Sequence, residues 1–242
     1  HRHLRPDVRG AHRARPHLRR AGLAARKAVV RVDDRAAERG WRDIRRILER
    51  GQLDAPVRDL ALRIFRRLIE AEAEAHGVAP DAVHLQEAGA LAAIVDVVGA
   101  AFGLRHLGAD RIVVSRMTTG AGRVLCRHGS YPVPGPATAA LVRGLPIDGG
   151  GEGERLTPTG AAILTTVADA WGTIPRGTIA GVGHGAGDTD YADGPNVLRL
   201  LLLEAEADAG SAFGEPGSFR LEGGRLVASA GERTALWIER LQ

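Results

Sequence analysis

Cysteine, lysine, methionine and aromatic residues are all scarce in this sequence of 242 residues. Cys126 is the single cysteine, which excludes a disulfide within the chain and any zinc site built from paired cysteines. Lys27 is the single lysine, so neither a phosphate-binding loop with a Gly-Lys-Ser/Thr motif nor a buried Schiff-base lysine is expected. Met117 is the single methionine, and we expect the sequence to be part of a longer reading frame that is incomplete at both ends.

Aromatic residues make up 4% of the chain and apolar residues 44%, so a core must rest on aliphatic side chains. Because no run of about 18 uncharged apolar residues occurs, we expect a soluble, cytoplasmic protein with no membrane span. The net charge of +4 is unevenly distributed: residues 1–50 carry 16 basic and 6 acidic side chains, whereas the remainder is acidic on balance. We therefore expect no nucleic-acid binding by the folded part.

The N-terminal and C-terminal segments give weak structural signals. Residues 1–27 are predicted to be a disordered basic arm, because its first 20 residues show neither a helical nor a strand-like apolar period. Its histidines could catch metal ions, but their spacing favours an unstructured tail. One domain is predicted at 28–204, opening with a short strand at 28–32. Residues 205–242 are predicted to be an incomplete C-terminal segment with one element at 233–241.

Three stretches in the first half of the chain predict helices. WRDIRRILE at 41–49 predicts a short amphipathic helix. A longer helix is predicted to begin after Asp54 and to end at Gly77, because an N-cap residue and a helix-stopping glycine bracket the periodic segment. Residues 87–104 are almost wholly apolar and predict a buried helix, in which Asp96 is the single interior charge.

Strand-like and glycine-rich segments then alternate with two further helices. Strands are predicted at RIVVS, RVLC and NVLRLLLLE, the last as an interior strand. One helix is predicted to begin at Pro136, and another after the segment Thr157-Pro158-Thr159-Gly160, which supplies an N-cap hydroxyl. GVGHGAGDTD at 181–190 predicts a glycine-rich loop. This alternation favours an α/β fold, with α+β as the alternative, in which helices pack on a mixed sheet.

Three places carry side chains that suit a metal ion. His84 and Glu87 precede the apolar helix and could ligate a divalent ion, or could form an ordinary polar helix entry. On a strand, Cys126 and His128 would project to one side and suit nickel or zinc. They could instead act as nucleophile and base, or Cys126 could be a small buried side chain. Asp96 needs a partner, which an arginine, backbone groups or a bound cation would supply.

Glycine-rich turns and one helix start are candidate anion sites. Backbone N–H groups at such places can approach a phosphate closely. The candidates are the glycines at 120–122 and 181–187 and the helix start at Thr157 and Thr159. Tight turns are the favoured explanation of the glycines, and the dinucleotide-binding fingerprint with its acidic ribose-binding residue is not present.

Several blocks, in order along the chain, resemble the nickel-insertion proteins that act on a pyridinium bisthiocarboxylate mononucleotide. The blocks are HLQEAGALAAIVDVVG at 84–99, CRHG at 126–129, PVPGPAT at 132–138, LTPTGAAIL at 156–164, GHGAG at 183–187 and NVLR at 196–199. Each block is weak by itself, and their common order makes the resemblance specific.

The resemblance implies a nickel chelatase of the lyase class, which uses CTP to insert nickel into the nickel-pincer cofactor of lactate racemase and related enzymes. The implied ligands are nickel, CTP with Mg or Mn, and the pyridinium bisthiocarboxylate mononucleotide. A separate chain with the C-terminal half, or a second copy of this chain, would be the protein partner.

Site residues are also implied by position in these blocks. Metal or substrate ligands would be His84, Glu87, Asp96, Cys126 and His128, and nucleotide contacts would come from Thr157, Thr159, Gly185 and Gly187. Gln86 and Ala92 depart from the family pattern, which has a histidine and an aspartate at these places. An inactive homologue or scaffold that keeps the fold without metal chemistry is therefore the alternative function.

Overall fold

The computed structural model describes residues 15–30, 38–85, 91–126, 129–205, 219–222, 225–228 and 233–241. The helices, in chain order, are α1 (Trp41–Arg50), α2 (Ala55–His76), α3 (Leu91–Leu107), α4 (Pro136–Leu141) and α5 (Pro158–Val167). The strands are β1 (Arg15–Arg20), β2 (Leu23–Lys27), β3 (Arg39–Gly40), β4 (His84–Leu85), β5 (Arg111–Val114), β6 (Met117–Thr118), β7 (Gly120–Ala121), β8 (Arg123–Cys126), β9 (Gly129–Pro132), β10 (Ile147–Asp148), β11 (Gly153–Glu154), β12 (Ala170–Trp171), β13 (Gly177–Ala186), β14 (Val197–Ala205), β15 (Phe219–Glu222), β16 (Arg225–Ala228) and β17 (Arg233–Leu241). Helices together with one large mixed sheet confirm the predicted fold class.

These elements belong to two compact units, each assembled from several stretches of chain. The described part of unit 1 comprises residues 28–30, 38–85, 91–102, 118–126 and 129–166, and the other described residues form unit 2. Across the described ranges, every helix is too short or too polar to cross a membrane.

The core of unit 1 is built around α2. Pro56 lies in its first turn and Gly77 ends it with a φ of 66°, a left-handed conformation that favours glycine, so both predicted ends are confirmed. α2 packs against α1 and α4. The large side chains that α1 and α2 bury fully include Ile44 and Leu48 of α1 and Ile64, Phe65 and Leu68 of α2. Each aliphatic side chain of this kind stabilises the fold by about 1.5–3 kcal/mol on leaving water.

The prediction that α3 is buried with an interior charge is wrong. Ile94, Val97 and Ala101 form a buried face, whereas Asp96 is exposed. A segment of nearly uniform apolar composition has no periodic signal for the face that meets solvent. Asp96 therefore needs no buried partner.

Unit 2 is organised by a seven-stranded sheet in the order β1-β2-β13-β14-β17-β5-β12. β14 has antiparallel partners on both sides, β13 and β17, which confirms the predicted interior strand and accounts for its continuous apolar run. One face of the central strands carries a core cluster of Val113, Leu201, Leu203, Ala235 and Trp237.

Residues 15–27 form strands β1 and β2, so the prediction of disorder is wrong for this part of the basic arm. β1 ends at Arg20, whose guanidinium donates to the carbonyl oxygens of Gly187 and Asp188 at 3.0 and 2.9 Å. It also lies 3.2 Å from the carboxylate of Asp190. These polar contacts anchor the strand, and a search for apolar periodicity cannot detect them.

The predicted glycine loop at 181–190 is wrong over its first part, because β13 continues to Ala186. Gly181, Gly183 and Gly185 each pair with a leucine of β14. Glycine disfavours a strand locally, and the apolar partner strand overrides that preference. Pairing between segments distant in sequence decides the structure here.

One strand prediction is wrong, and the element predicted at 233–241 is confirmed. Residues 28–30 form neither helix nor strand, and the remainder of the strand predicted at 28–32 lies outside the described residues. The element at the C-terminal end is β17, which lies inside the sheet between β14 and β5. The C-terminal segment therefore supplies a central strand of unit 2.

Candidate functional site

Unit 1 contains a cavity of about 500 Å³. Its walls come from the end of α2, β4, α3, the hairpin of β8 and β9, and the starts of α4 and α5. Buried Val83 and Leu85 contribute apolar surface. The lining side chains that carry chemistry are Glu72, His76, His84, Asp96, Cys126, Tyr131, Glu154, Thr157 and Thr159. Five of the nine predicted site residues therefore line one cavity.

His84 is positioned by the short sheet of β3 and β4, in which Gly40 lies opposite it. Its Nδ1 lies 3.1 Å from the carbonyl oxygen of Ala82. A carbonyl oxygen only accepts hydrogen bonds, so Nδ1 carries the proton and Nε2 of the neutral ring keeps its lone pair. Nε2 is therefore the atom of His84 that can bind a metal ion, in an orientation fixed by the Nδ1 hydrogen bond.

The hairpin of β8 and β9 presents a sulfur atom and an aromatic ring to the cavity. Its register pairs Val124 with Tyr131 and Cys126 with Gly129. Because opposed residues and residues two apart share a face, Val124, Cys126 and Tyr131 project together, and all three line the cavity. Cys126 is half-buried, and its Sγ donates to the carbonyl oxygen of Gly129 at 3.4 Å.

Among the lining residues that carry chemistry, four were not predicted from the sequence as site residues: Glu72, His76, Tyr131 and Glu154. Nε2 of His76 lies 3.7 Å from the carboxylate of Glu72, one helical turn earlier on α2. Glu72 and His76 are four residues apart near the end of α2, a helix whose bounds the sequence predicts. This spacing was the signal in the sequence that could have identified the pair. Tyr131 and Glu154 lie on short strands whose sequences carry no comparable pattern.

The lining side chains give the cavity a negative character. Glu72, Asp96 and Glu154 contribute carboxylates, whereas none of the described lining residues is a lysine or arginine. A concave surface with one sign of charge concentrates ions of the opposite sign. The cavity therefore favours a divalent cation over a polyphosphate.

α5 begins at the cavity, with Thr157 as its N-cap. The Oγ1 atom of Thr157 accepts a hydrogen bond from the N–H of Gly160 at 3.1 Å, which confirms the predicted cap. Thr159, in the first turn, also lines the cavity. The positive end of the α5 dipole thus gives this wall a feature that attracts an anion.

Replacing Thr157 with alanine should lower the free energy of unfolding by about 1 kcal/mol, because the N–H of Gly160 loses its acceptor. Thr157→Ser keeps the hydroxyl and should retain the stability. Urea unfolding of both variants measures the difference. If Thr157→Ala unfolds like the parent chain, the hydroxyl has no capping role.

Polar contacts hold the walls of the cavity together. Arg67 of α2 donates to Oγ1 of Thr165 on α5 at 2.8 Å. Arg143, just after α4, donates to the carboxylate of Glu74 on α2. This hydrogen bond and the negative charge of Glu74 raise the pKa of Arg143. These contacts link α2 to α5 and to the residue that follows α4.

Two of the four remaining predicted site residues lie in unit 2. Gly185 and Gly187 belong to unit 2, where the N–H of Gly187 donates to the carbonyl oxygen of Asn196 at 3.0 Å. A Cβ atom at Gly187 would lie 2.3 Å from Nδ2 of Asn196, so close packing explains this glycine. Glu87 and His128 lie outside the described residues.

Metal coordination by the predicted ligands stays a prediction. Within the ranges that the structure describes, no three His, Cys, Asp or Glu side chains are grouped closely enough to hold a metal ion. His84, Asp96 and Cys126 share the cavity without forming such a group.

The chain matches the family model described as nickel insertion protein over residues 10–219. This chain belongs to the nickel insertion protein family. Among its relatives, the pyridinium-3,5-bisthiocarboxylic acid mononucleotide nickel insertion protein of Nocardioides sp. is 50% identical over 195 residues, which are 80% of this chain and 49% of that protein. Putative nickel insertion proteins of Geotalea daltonii and Geobacter metallireducens are 47% and 49% identical over 188 residues, 77% of this chain and 48% of each relative.

Membership in the nickel insertion protein family confirms the resemblance predicted from the ordered blocks. The chain spans about half the length of the curated relatives it matches. No solved structure matches it.

Proposed function

We propose that the cavity of unit 1 brings nickel together with a pyridinium-3,5-bisthiocarboxylic acid mononucleotide, in the assembly of the nickel-pincer cofactor of lactate racemase-type enzymes. The observation that carries this proposal is the convergence of His84, Asp96 and Cys126, which come from three separate segments, on one cavity. The family supports the choice of nickel, and the name of the Nocardioides relative supports the choice of substrate.

The donor atoms in the cavity suit nickel. Nε2 of His84 offers a neutral imidazole lone pair, and a thiolate at Cys126 is a softer donor of the kind that borderline metals accept. The carboxylate of Asp96 adds attraction for a dication. The sulfur atoms of the two thiocarboxylates would complete the coordination and draw the ion from the protein to the substrate.

Formation of the nickel–carbon bond implied by the resemblance requires a base. Nickel takes the place of a proton on the ring carbon between the two thiocarboxylates, so one C–H bond breaks as one C–Ni bond forms. His76 lines the same cavity, and its Nε2 lies 3.7 Å from the carboxylate of Glu72. We assign His76 as the acceptor of that proton.

CTP with Mg or Mn, which the resemblance implies, does not fit this cavity. Its described lining residues supply three carboxylates and no lysine or arginine. The hydroxyl of Thr157 already caps α5, and Gly185 and Gly187 belong to unit 2. CTP use is thus part of the proposed overall reaction, and no step of it rests on the cavity of unit 1.

A scaffold without metal chemistry is the second candidate, and one position on α3 favours it. Ala92, where the family pattern has an aspartate, lies one turn before Asp96. An aspartate there would form an i, i+4 carboxylate pair with Asp96. The loss of one carboxylate weakens the attraction of the cavity for a cation.

Binding experiments separate the two candidates. If nickel bridges the protein and the substrate, bound nickel should raise the affinity of the protein for the mononucleotide by about tenfold or more. The mononucleotide should raise the affinity for nickel by the same factor. Titration calorimetry of the mononucleotide with and without nickel measures this coupling, after correction for the nickel–mononucleotide complex measured without protein. Cys126→Ser should reduce the coupling, and the dicarboxylate mononucleotide, which lacks sulfur, should show little of it. Equal affinities with and without nickel would favour the scaffold.

A further inference from the structure

Tyr131 is the single Phe, Tyr or Trp among the described residues that line the cavity. It is half-buried, so one part of the ring is supported by protein and another part is accessible. Aromatic residues make up only 4% of the chain, and just two of them are tyrosines. A tyrosine side chain in the site is therefore a distinctive feature of this wall.

The hairpin fixes the ring relative to the proposed nickel ligand. Tyr131 lies opposite Val124, and Cys126 is two residues further along the same face. Diagonal neighbours of this kind are separated by about 7–8 Å between the two strands. A planar ring lying on Tyr131 would therefore place its substituents close to the sulfur of Cys126.

We propose that Tyr131 is a specificity-determining residue, which selects the positively charged pyridinium ring of the substrate by stacking against it. This inference rests on the proposed function of the cavity. The face of a tyrosine ring carries partial negative charge and attracts a cation placed over it.

The other tyrosine already serves as a platform for a cation. The guanidinium of Arg240 lies over the ring of Tyr191 in unit 2, 5.4 Å from the centroid. Tyr191 therefore offers a matched control, because its replacement removes a tyrosine of similar chemistry from a place outside the cavity.

The test compares two ligands that differ in ring charge. One is the pyridinium-3,5-bisthiocarboxylic acid mononucleotide, and the other is the same molecule with its ring reduced to an uncharged 1,4-dihydropyridine. The parent chain should prefer the pyridinium form by about tenfold. Tyr131→Leu should lose most of this preference, whereas Tyr131→Phe, which keeps the ring, and Tyr191→Leu should retain it.

A second readout does not depend on how well a variant folds. In the parent chain, stacking should shift the NMR signals of the pyridinium ring protons upfield on binding, and Tyr131→Phe should preserve that shift. If the parent chain binds the mononucleotide without an upfield shift, or if Tyr131→Leu keeps the preference for the charged ring, the role of Tyr131 is refuted and the proposed function stands. If the parent chain binds neither form, the proposed function itself is refuted, and the inference falls with it.

Discussion

Gly120→Ala should lower the free energy of unfolding by about 3–5 kcal/mol, since two penalties act at once. Gly120 is buried and has a φ of 87°, a region that residues with a side chain rarely adopt. An added Cβ would lie only 1.9 Å from the carbonyl oxygen of Gly153. That oxygen belongs to the backbone of the paired strand, so it cannot move aside without breaking the pairing of β7 with β11.

The pairing of β7 with β11 also positions part of the cavity wall. Gly120 lies opposite Glu154, and the neighbouring Thr119 accepts a hydrogen bond from the N–H of Arg155 at 2.9 Å. Displacement of β11 would therefore shift Glu154 away from the cavity. We expect the variant to lose affinity for cationic ligands as well as stability.

Gly122→Ala is the matched control. Gly122 has nearly the same φ, 88°, but a Cβ there would meet no atom within 4 Å. Gly122→Ala should lower the free energy of unfolding only by the penalty for a side chain at this backbone conformation, about 1–2 kcal/mol. Urea unfolding of the two variants separates the effect of the backbone conformation from the effect of the steric clash with Gly153. Equal losses of stability in the two variants would contradict a close approach at Gly120.

Local patterns in the sequence were sufficient to predict the helices of unit 1. The bounds of α2 follow from a proline in the first turn and a glycine just past the end, both of which act within a few residues. The cap at Thr157 is equally local. Such signals do not depend on what the helix packs against.

The sheet of unit 2 could not be predicted in the same way. β1 is fixed by contacts of Arg20 with residues more than 160 positions away, and the glycines of β13 form a strand because β14 lies beside them. Pairing of this kind depends on residues that are distant in the sequence, so the local periodicity of apolar residues does not predict it.

The candidate site was predictable in part. His84, Asp96, Cys126, Thr157 and Thr159 were identified from ordered sequence blocks, and the structure places them around one cavity. The blocks could not predict that Tyr131 joins them, because the register of the hairpin brings it onto the same face as Cys126. Gly187 is explained instead by its packing against Asn196.

Removal of His84 and Cys126 together should lower the affinity for nickel by about 100-fold or more. Replacing residues that only support a metal ligand already reduces metal affinity by about 10–100-fold. If the imidazole nitrogen of His84 and the sulfur of Cys126 are the donors, as proposed, their joint loss should exceed that range. Asp96→Asn should have a smaller effect, because Asp96 is exposed and contributes mainly through its charge.

The histidines near the N-terminus must be removed from the comparison. His1, His3, His12 and His17 could bind nickel by themselves, so all proteins compared should carry alanine at these four positions. His184→Ala is the matched control, since His184 is a half-buried histidine of unit 2. Circular dichroism should verify that each variant is folded.

The most direct test of the cavity as a nickel site is a calorimetric titration of this background protein with nickel, beside the His84→Ala/Cys126→Ala and His184→Ala variants. We expect binding of about one nickel ion that is retained in His184→Ala and lost in the double variant. Equal nickel binding by all three folded proteins, or no binding by the background protein, would contradict the assignment of the cavity as the place where nickel is held.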